Sequence, residues 1–460
     1  MSYPRILIAA PNSGSGKTTV TIGLLSALKQ KGLKPCSFKC GPDYIDPMFH
    51  RNVVEIPSGN LDTFFTEDQV TLDIFKREFS GDIAVIEGVM GLYDGVGGVQ
   101  ETGSTYDLAR VLQAPIVLVV DARGAGRSVL AQLKGFLDYD KYGLIKGVIL
   151  NKTSKSFAKI LAPLIESELG IKFIGSVANN PDMEISSRHL GLTLPEEISD
   201  LREKIKESAA LVTEGIDMDA FIDLAYSSAN IKDNISMANE GANIQTDIDN
   251  YINKNKGTSK IRIAIARDLA FCFYYRENLE LLEALGAKLI PFSPINDSSL
   301  PENINGLILG GGYPENYLKE LSNNKAMLSA IKNAYDSGIP TMAECGGFMY
   351  LLDSITDEAG QSFSMVGAIK GTSSWQGKLV RFGYVTVDDE KLFVKGHEFH
   401  YYDTTNNGED MTAKKPSGTR SWKCIHKNGA SIVGYPHLYY MSCPQIAINF
   451  VEAARKENGL

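Results

Sequence analysis

The run from Arg5 to Gln30 constrains the fold of this chain more than any other. Arg5-Ile6-Leu7-Ile8-Ala9-Ala10 reads as a buried strand, and Lys17 to Gln30 as a helix whose apolar face is Val20, Leu24, Leu25 and Leu28. Between them lies Pro11-Asn12-Ser13-Gly14-Ser15-Gly16-Lys17-Thr18, which fits Gly-x-x-x-x-Gly-Lys-Ser/Thr except for Pro11 in place of the first glycine. Strand, glycine-rich turn and helix in that order make a phosphate-binding loop. Gly14 and Gly16 let the backbone wrap phosphate oxygens, Lys17 reaches the β and γ phosphates, and Thr18 binds Mg²⁺. Ser13, Gly14, Ser15, Gly16, Lys17 and Thr18 are the expected ATP-binding residues.

Such a loop belongs to an α/β fold, a mostly parallel sheet wrapped by helices. Apolar runs at 83–86, 116–120, 148–150 and 173–177 alternate with helical patterns in agreement. Ligands in open α/β sheets collect outside the carboxyl ends of strands, where Pro11, Glu87, Asp121 and Asn151 are expected. Glu87 can meet the Mg²⁺ of the phosphate loop, with Asp94 a second candidate. Asn151 can hydrogen-bond a purine edge. The segment Lys39 to His50 is dense in Pro, Gly and carboxylates and reads as a loop that the strand Lys34 to Lys39 delivers to the same sheet edge as Lys17.

From Tyr226 to Ser259 the chain turns polar and weakly periodic, an expected linker with room for a short helix. A second βα series starts at Lys260–Ala266 and continues through Lys288–Pro291, Gly306–Leu309 and Pro340–Ala343. After Met365 the pattern is β-rich, with Val380–Val387 the clearest strand. The expected organisation is a phosphate-loop domain over 1–225, a linker over 226–259 and a second α/β domain over 260–460.

In that second domain, Pro340-Thr341-Met342-Ala343-Glu344-Cys345-Gly346-Gly347 breaks from an apolar strand into two glycines and then a helix. A thiol at such a turn sits at a sheet tip, where the N–H of Gly346 and the helix start stabilise negative charge. Gly310-Gly311-Gly312, after another strand, lets backbone N–H groups approach a ligand closely and suits an oxyanion hole. A base for Cys345 is expected among His397, His400, His426 and His437.

Composition narrows the partners. The 460 residues are 43% hydrophobic and 22% charged, as in globular proteins, with no apolar stretch of ~18 residues to span a bilayer. The first residues lack signal-peptide character, so a cytoplasmic location is expected. Six scattered cysteines point to reduced thiols, and Cys36 and Cys40 lack the further ligands of a zinc site. A net charge of -9 argues against nucleic acid and requires a locally basic pocket for any anionic substrate.

These segments, with Gly41-Pro42-Asp43-Tyr44-Ile45-Asp46-Pro47, Glu87 to Gly95, Arg188-His189-Leu190-Gly191-Leu192, Gly310 to Glu315 and Gly396-His397-Glu398-Phe399-His400, resemble in order the cobyrinate/cobyrate group of glutamine amidotransferases. The resemblance covers nearly the full length. It implies a dethiobiotin-synthetase-like domain followed by a class I glutaminase domain. The implied reaction is amidation of the a and c carboxylates of a cobalt tetrapyrrole through acyl phosphates, with ATP, Mg²⁺ and glutamine as the ammonia source. The same machinery serves Ni-sirohydrochlorin, which stays open as a substrate. A nucleotide switch of the partitioning type is a distant alternative, which Asn12 and Ser13 disfavour because such switches carry an extra lysine there. By the resemblance, Cys345 and His437 are catalytic, His437 being favoured over His400 by its place near the domain end. Gly311, Gly312 and Gly346 form the glutamine and oxyanion site. Asp43, Tyr44, Asp46 and Asp94 bind or orient tetrapyrrole carboxylates and the metal-phosphate, with Asp43 joining Thr18 and Glu87 at the metal. Tyr439 stands where many class I glutaminases carry a glutamate two residues after the histidine.

Overall fold

The computed structural model describes residues 3–180, 201–231 and 239–456, and the chain divides into two units, Met1–Met237 and Ala238–Leu460. The Arg188–Leu192 segment lies outside the described residues, as does the stretch 232–238.

The first unit is built on seven parallel strands. They are β1 (Arg5–Ala9), β2 (Pro35–Cys40), β3 (Ser58–Leu61), β4 (Ile83–Glu87), β5 (Ile116–Asp121), β6 (Ile145–Asn151) and β7 (Lys172–Val177), in the order β3-β2-β4-β1-β5-β6-β7. Strands covered on both faces carry continuous apolar runs, and β1 and β4 are buried at every position. The central β1 hands the chain to helix α1 (Lys17–Gln30), whose Val20, Leu24, Leu25 and Leu28 are buried in one core with Ile6, Ile8, Val85 and Val117. At Gly23 a Cβ would meet Val212 Cγ2 at 2.5 Å, so only glycine lets the Leu201–Gly215 helix come this near α1. The sheet order reverses around β1, which brings the ends of β1, β2, β4 and β6 to one crevice.

One expectation is corrected here. Residues 45–52 are helical, forming α2 (Ile45–Asn52), rather than loop. Asp43 Oδ1 accepts from the N–H groups of Ile45 and Asp46 at 2.9 and 3.0 Å, and Pro47 falls in the first turn, where its missing N–H costs nothing.

The second unit has a six-stranded sheet. Strands β8 (Ile261–Ala266), β9 (Ala287–Phe292), β10 (Gly306–Leu309) and β11 (Thr341–Glu344) run parallel in the order β9-β8-β10-β11, extended by the parallel strand Ser431–Gly434 and the antiparallel edge His426–Asn428. Two smaller sheets account for the β-rich sequence after Met365, one around Ile369–Trp375 and one on the Arg381–Asp388 and Phe393–His400 hairpin. The last of these pairs with His437–Leu438. Much of the polar stretch that opens this unit is helical: Asn239–Lys254 buries Ile248 and Tyr251, and Lys254 reaches Glu452 at 3.5 Å. No helix among the described residues is long and apolar enough to cross a membrane.

Candidate functional site

In the first unit the phosphate loop turns through two left-handed glycines, Gly14 (φ 80°) and Gly16 (φ 91°). Ser15 Oγ donates to the Asn12 carbonyl at 3.0 Å, closing the loop, and Ser13 and Gly14 form its exposed rim. Beneath it Asn151 Nδ2 donates to the Ser15 carbonyl at 2.8 Å, and a Cβ on Gly16 would strike that nitrogen at 2.2 Å. Asn151 therefore supports the loop from the end of β6. Lys17, 8% exposed, donates to the Met90 carbonyl at 2.5 Å. Burial, then repulsion from Lys39, lowers its pKa to about 8.

Thr18 Oγ1 donates to Glu87 Oε1 at 2.6 Å, joining the start of α1 to the end of β4. Two residues that sequence reasoning missed meet the same carboxylate. Lys39, at the end of β2, lies 2.9 Å from Glu87 Oε1, 2.5 Å from Asp46 and 4.0 Å from Asp43. His50 Nε2 lies 3.5 Å from Glu87 Oε2, with its Nδ1 3.1 Å from Ser37 Oγ. Burial disfavours the Lys39 ammonium, but Asp46, Glu87 and Asp43 more than offset it and hold the group charged, well above the lysine range. Burial likewise opposes charge on Glu87, and Lys39 with His50 overcomes it, so this carboxyl ionises below the usual range. A lysine one residue from the end of a buried strand is the sequence signal for this cluster.

Glu87 Oε2 is fully buried and accepts no hydrogen bond. A hydroxyl and one carboxylate, completed by phosphate and water oxygens, suit Mg²⁺, so Thr18 and Glu87 fit that ion. Asp43 is engaged as the cap of α2 and by Lys39. Among the described residues no group of three or more His, Cys, Asp or Glu forms a metal site unaided. Tyr44 is buried beside Asp43, and Asp94 Oδ2 accepts from Gly91 N–H at 2.9 Å, closing the turn after β4.

In the second unit Cys345 follows β11 at φ 49° and ψ -106°, a left-handed backbone that non-glycine residues occupy under strain. Its N–H donates to the Gly434 carbonyl at 2.9 Å and it is 8% exposed. Close packing of glycines fixes the turn: a Cβ on Gly347 would strike the Leu309 carbonyl at 2.0 Å, and one on Gly346 would lie 3.3 Å from Gly312 N. The Gly310–Gly312 loop thus abuts the thiol-bearing turn. Burial, then the Glu315 carboxylate, pushes the Cys345 thiol well above its ordinary range, while the Gly346 N–H opposes the shift.

His437 sits against that loop, since a Cβ on Gly311 would meet its Cε1 at 2.4 Å. Its Nδ1 is 3.7 Å from Glu344 Oε2, and His397 stacks on it at 4.8 Å and 15°. His400 is placed differently, with Nδ1 2.6 Å from the Tyr402 carbonyl, Nε2 3.3 Å from Glu398, and its ring stacked on Tyr435 at 4.0 Å. Cys36 and Cys40 are buried thiols, pushed up to about 11 and about 12 by desolvation.

Comparison with known proteins agrees with both halves. Residues 6–192 match the CobQ/CobB/MinD/ParA nucleotide binding domain, and residues 262–442 match the CobB/CobQ-like glutamine amidotransferase domain. The chain is 36% identical to the cobyrinate a,c-diamide synthase of Listeria innocua, over 98% of this chain and 100% of that one. It is 39% identical to that of Fusobacterium nucleatum, over 94% and 97%, and 36% identical to that of Methanosarcina barkeri, over 99% and 96%. The chain belongs to the cobyrinate a,c-diamide synthase family of glutamine amidotransferases.

Proposed function

We propose that the protein amidates the a and c carboxylates of cobyrinate, using ATP to activate each carboxylate and glutamine to supply ammonia. Residues 1–225 are the synthetase, 226–259 the connection and 260–460 the glutaminase. The observation that carries this reading is the strained Cys345 turn, with Gly311, Gly312 and His437 against it, in a chain that also holds a phosphate loop.

A carboxylate is a poor electrophile with a poor leaving group. Its oxygen attacks the γ-phosphorus of ATP, ADP departs, and the acyl phosphate then loses phosphate to ammonia. The loop 13–18 cradles the triphosphate and Lys17 neutralises charge on the transferred group. Mg²⁺, held by Thr18 and Glu87, supplies charge neutralisation on the phosphates when bound. Asp43, Tyr44, Asp46 and Asp94 wall the substrate side, where Lys39 and Lys17 provide the attraction that these acids do not. Asn151 holds the loop and keeps a second amide hydrogen for a purine edge.

In the glutaminase, His437 takes the Cys345 proton as sulfur attacks the side-chain amide carbon, the N–H groups of the 310–312 loop and Gly346 receive the oxyanion, and the proton leaves on ammonia. Water then hydrolyses the thioester to glutamate. A raised thiol pKa suits a resting state in which the thiol ionises only with its base engaged.

Cobyrinate labelled with ¹⁸O in its carboxylates tests the activation step. One ¹⁸O per amide is expected in inorganic phosphate, and unlabelled phosphate contradicts acyl phosphorylation. Ni-sirohydrochlorin assayed in parallel is expected to turn over more slowly, and a faster rate on it reassigns the ring.

A further inference from the structure

We infer that Glu344, the residue before the nucleophile, positions His437 in place of the glutamate that class I glutaminases carry two residues after the histidine. The inference rests on the glutaminase reading above. A cysteine–histidine pair works best when an acceptor at Nδ1 fixes the imidazole tautomer and steadies the imidazolium. Tyr439 does not do this: its ring packs edge-on against Tyr275 at 5.2 Å and its N–H donates to the Lys395 carbonyl at 3.0 Å. Glu344 reaches His437 from the other direction, at the end of β11, whose partner strand Ser431–Gly434 leads directly to residue 437. Glu344 Oε1 accepts from Leu438 N–H at 3.2 Å and from the Tyr440 hydroxyl at 3.4 Å. The carboxylate is thereby anchored to the residue after the histidine, and Oε2 faces Nδ1 at 3.7 Å. The separation exceeds a hydrogen bond and closes when substrate is bound, as in other resting hydrolases.

The remaining groups around the imidazole do not compete for this role. His397, stacked on its face, has Nδ1 3.0 Å from the Tyr275 hydroxyl. Burial, then His437 and Lys415, holds it well below the histidine range and hence neutral. Tyr440 is buried and kept protonated by burial and by Glu344 itself. Glu344 brings a negative charge to the Nδ1 edge of the ring.

The test is Glu344→Gln, with Glu344→Asp as partial rescue, in the full chain with ATP, Mg²⁺ and cobyrinate. Glutamine kcat is expected to fall about 10²-fold or more, with KM little changed and ammonia-supported synthesis retained as evidence of folding. Wild-type glutamine kcat in Glu344→Gln, or no recovery of kcat in Glu344→Asp, overturns the inference. Cys345→Ala run alongside separates the two readings: if it retains glutamine turnover the glutaminase assignment fails, whereas a dead Cys345→Ala beside a wild-type-like Glu344→Gln refutes only the role of Glu344.

Discussion

The Lys39 ammonium lies 2.9 Å from the Glu87 carboxylate, at a point where neither side chain is more than 5% exposed. Breaking a buried pair from one side leaves an uncompensated charge, which costs about 3–5 kcal/mol. Lys39→Met is therefore expected to destabilise the first unit by about that amount, read from urea unfolding; an unchanged midpoint contradicts the electrostatic account. Because Glu87 ionises below its unfolded range, its contribution is present above the ordinary carboxylate pKa and fades as pH falls through its folded value. The variant's deficit should accordingly shrink in strong acid.

Lys17, lowered to about 8 by burial and then by Lys39, is about half protonated at pH 8 before ATP arrives. Phosphates favour the charged form, so ATP binding at pH 8 should take up a fraction of a proton, and affinity should decline as pH rises beyond that point. Calorimetry in buffers of different ionisation enthalpy measures the uptake. Lys17→Met should abolish it together with most of the affinity.

Gly311 carries its consequence in a single missing atom. A Cβ there would lie 2.4 Å from His437 Cε1, so Gly311→Ala must shift the imidazole. An error of about 1 Å in a catalytic group costs about 10²-fold. Glutamine turnover should fall by that order while thermal stability changes little, since the clash is with a side chain rather than with backbone.

Much of the architecture was legible because buried parallel strands write continuous apolar runs, as Ile83–Ile86 and Ile116–Val120 do. Strand β3 left no such trace: Ser-Gly-Asn-Leu ends the sheet and is buried because α2 and the helix Asp68–Glu78 pack against it, not through its own hydrophobicity. Helix α2 was hidden because the Asp43 cap and Pro47 look like loop chemistry until the helix they start is seen. At the sites, the phosphate loop and the Cys345 turn are local in sequence and could be read directly. The partners of Glu87 and His437 could not, because Lys39, His50 and Glu344 reach them across 48, 37 and 93 positions, and only the order of strands in each sheet sets those distances.

The most direct measurement follows the amide nitrogen itself. Cobyrinate incubated with ATP, Mg²⁺ and [amide-¹⁵N]glutamine should yield a product carrying two ¹⁵N amides, with two ATP consumed, as read by mass spectrometry. Cys345→Ser should give no labelled product from glutamine, yet form the diamide when ammonia is supplied. Unmodified cobyrinate with the wild-type protein, or equal ¹⁵N incorporation by Cys345→Ser, would contradict the coupling of a cysteine glutaminase to an ATP-dependent synthetase in this chain.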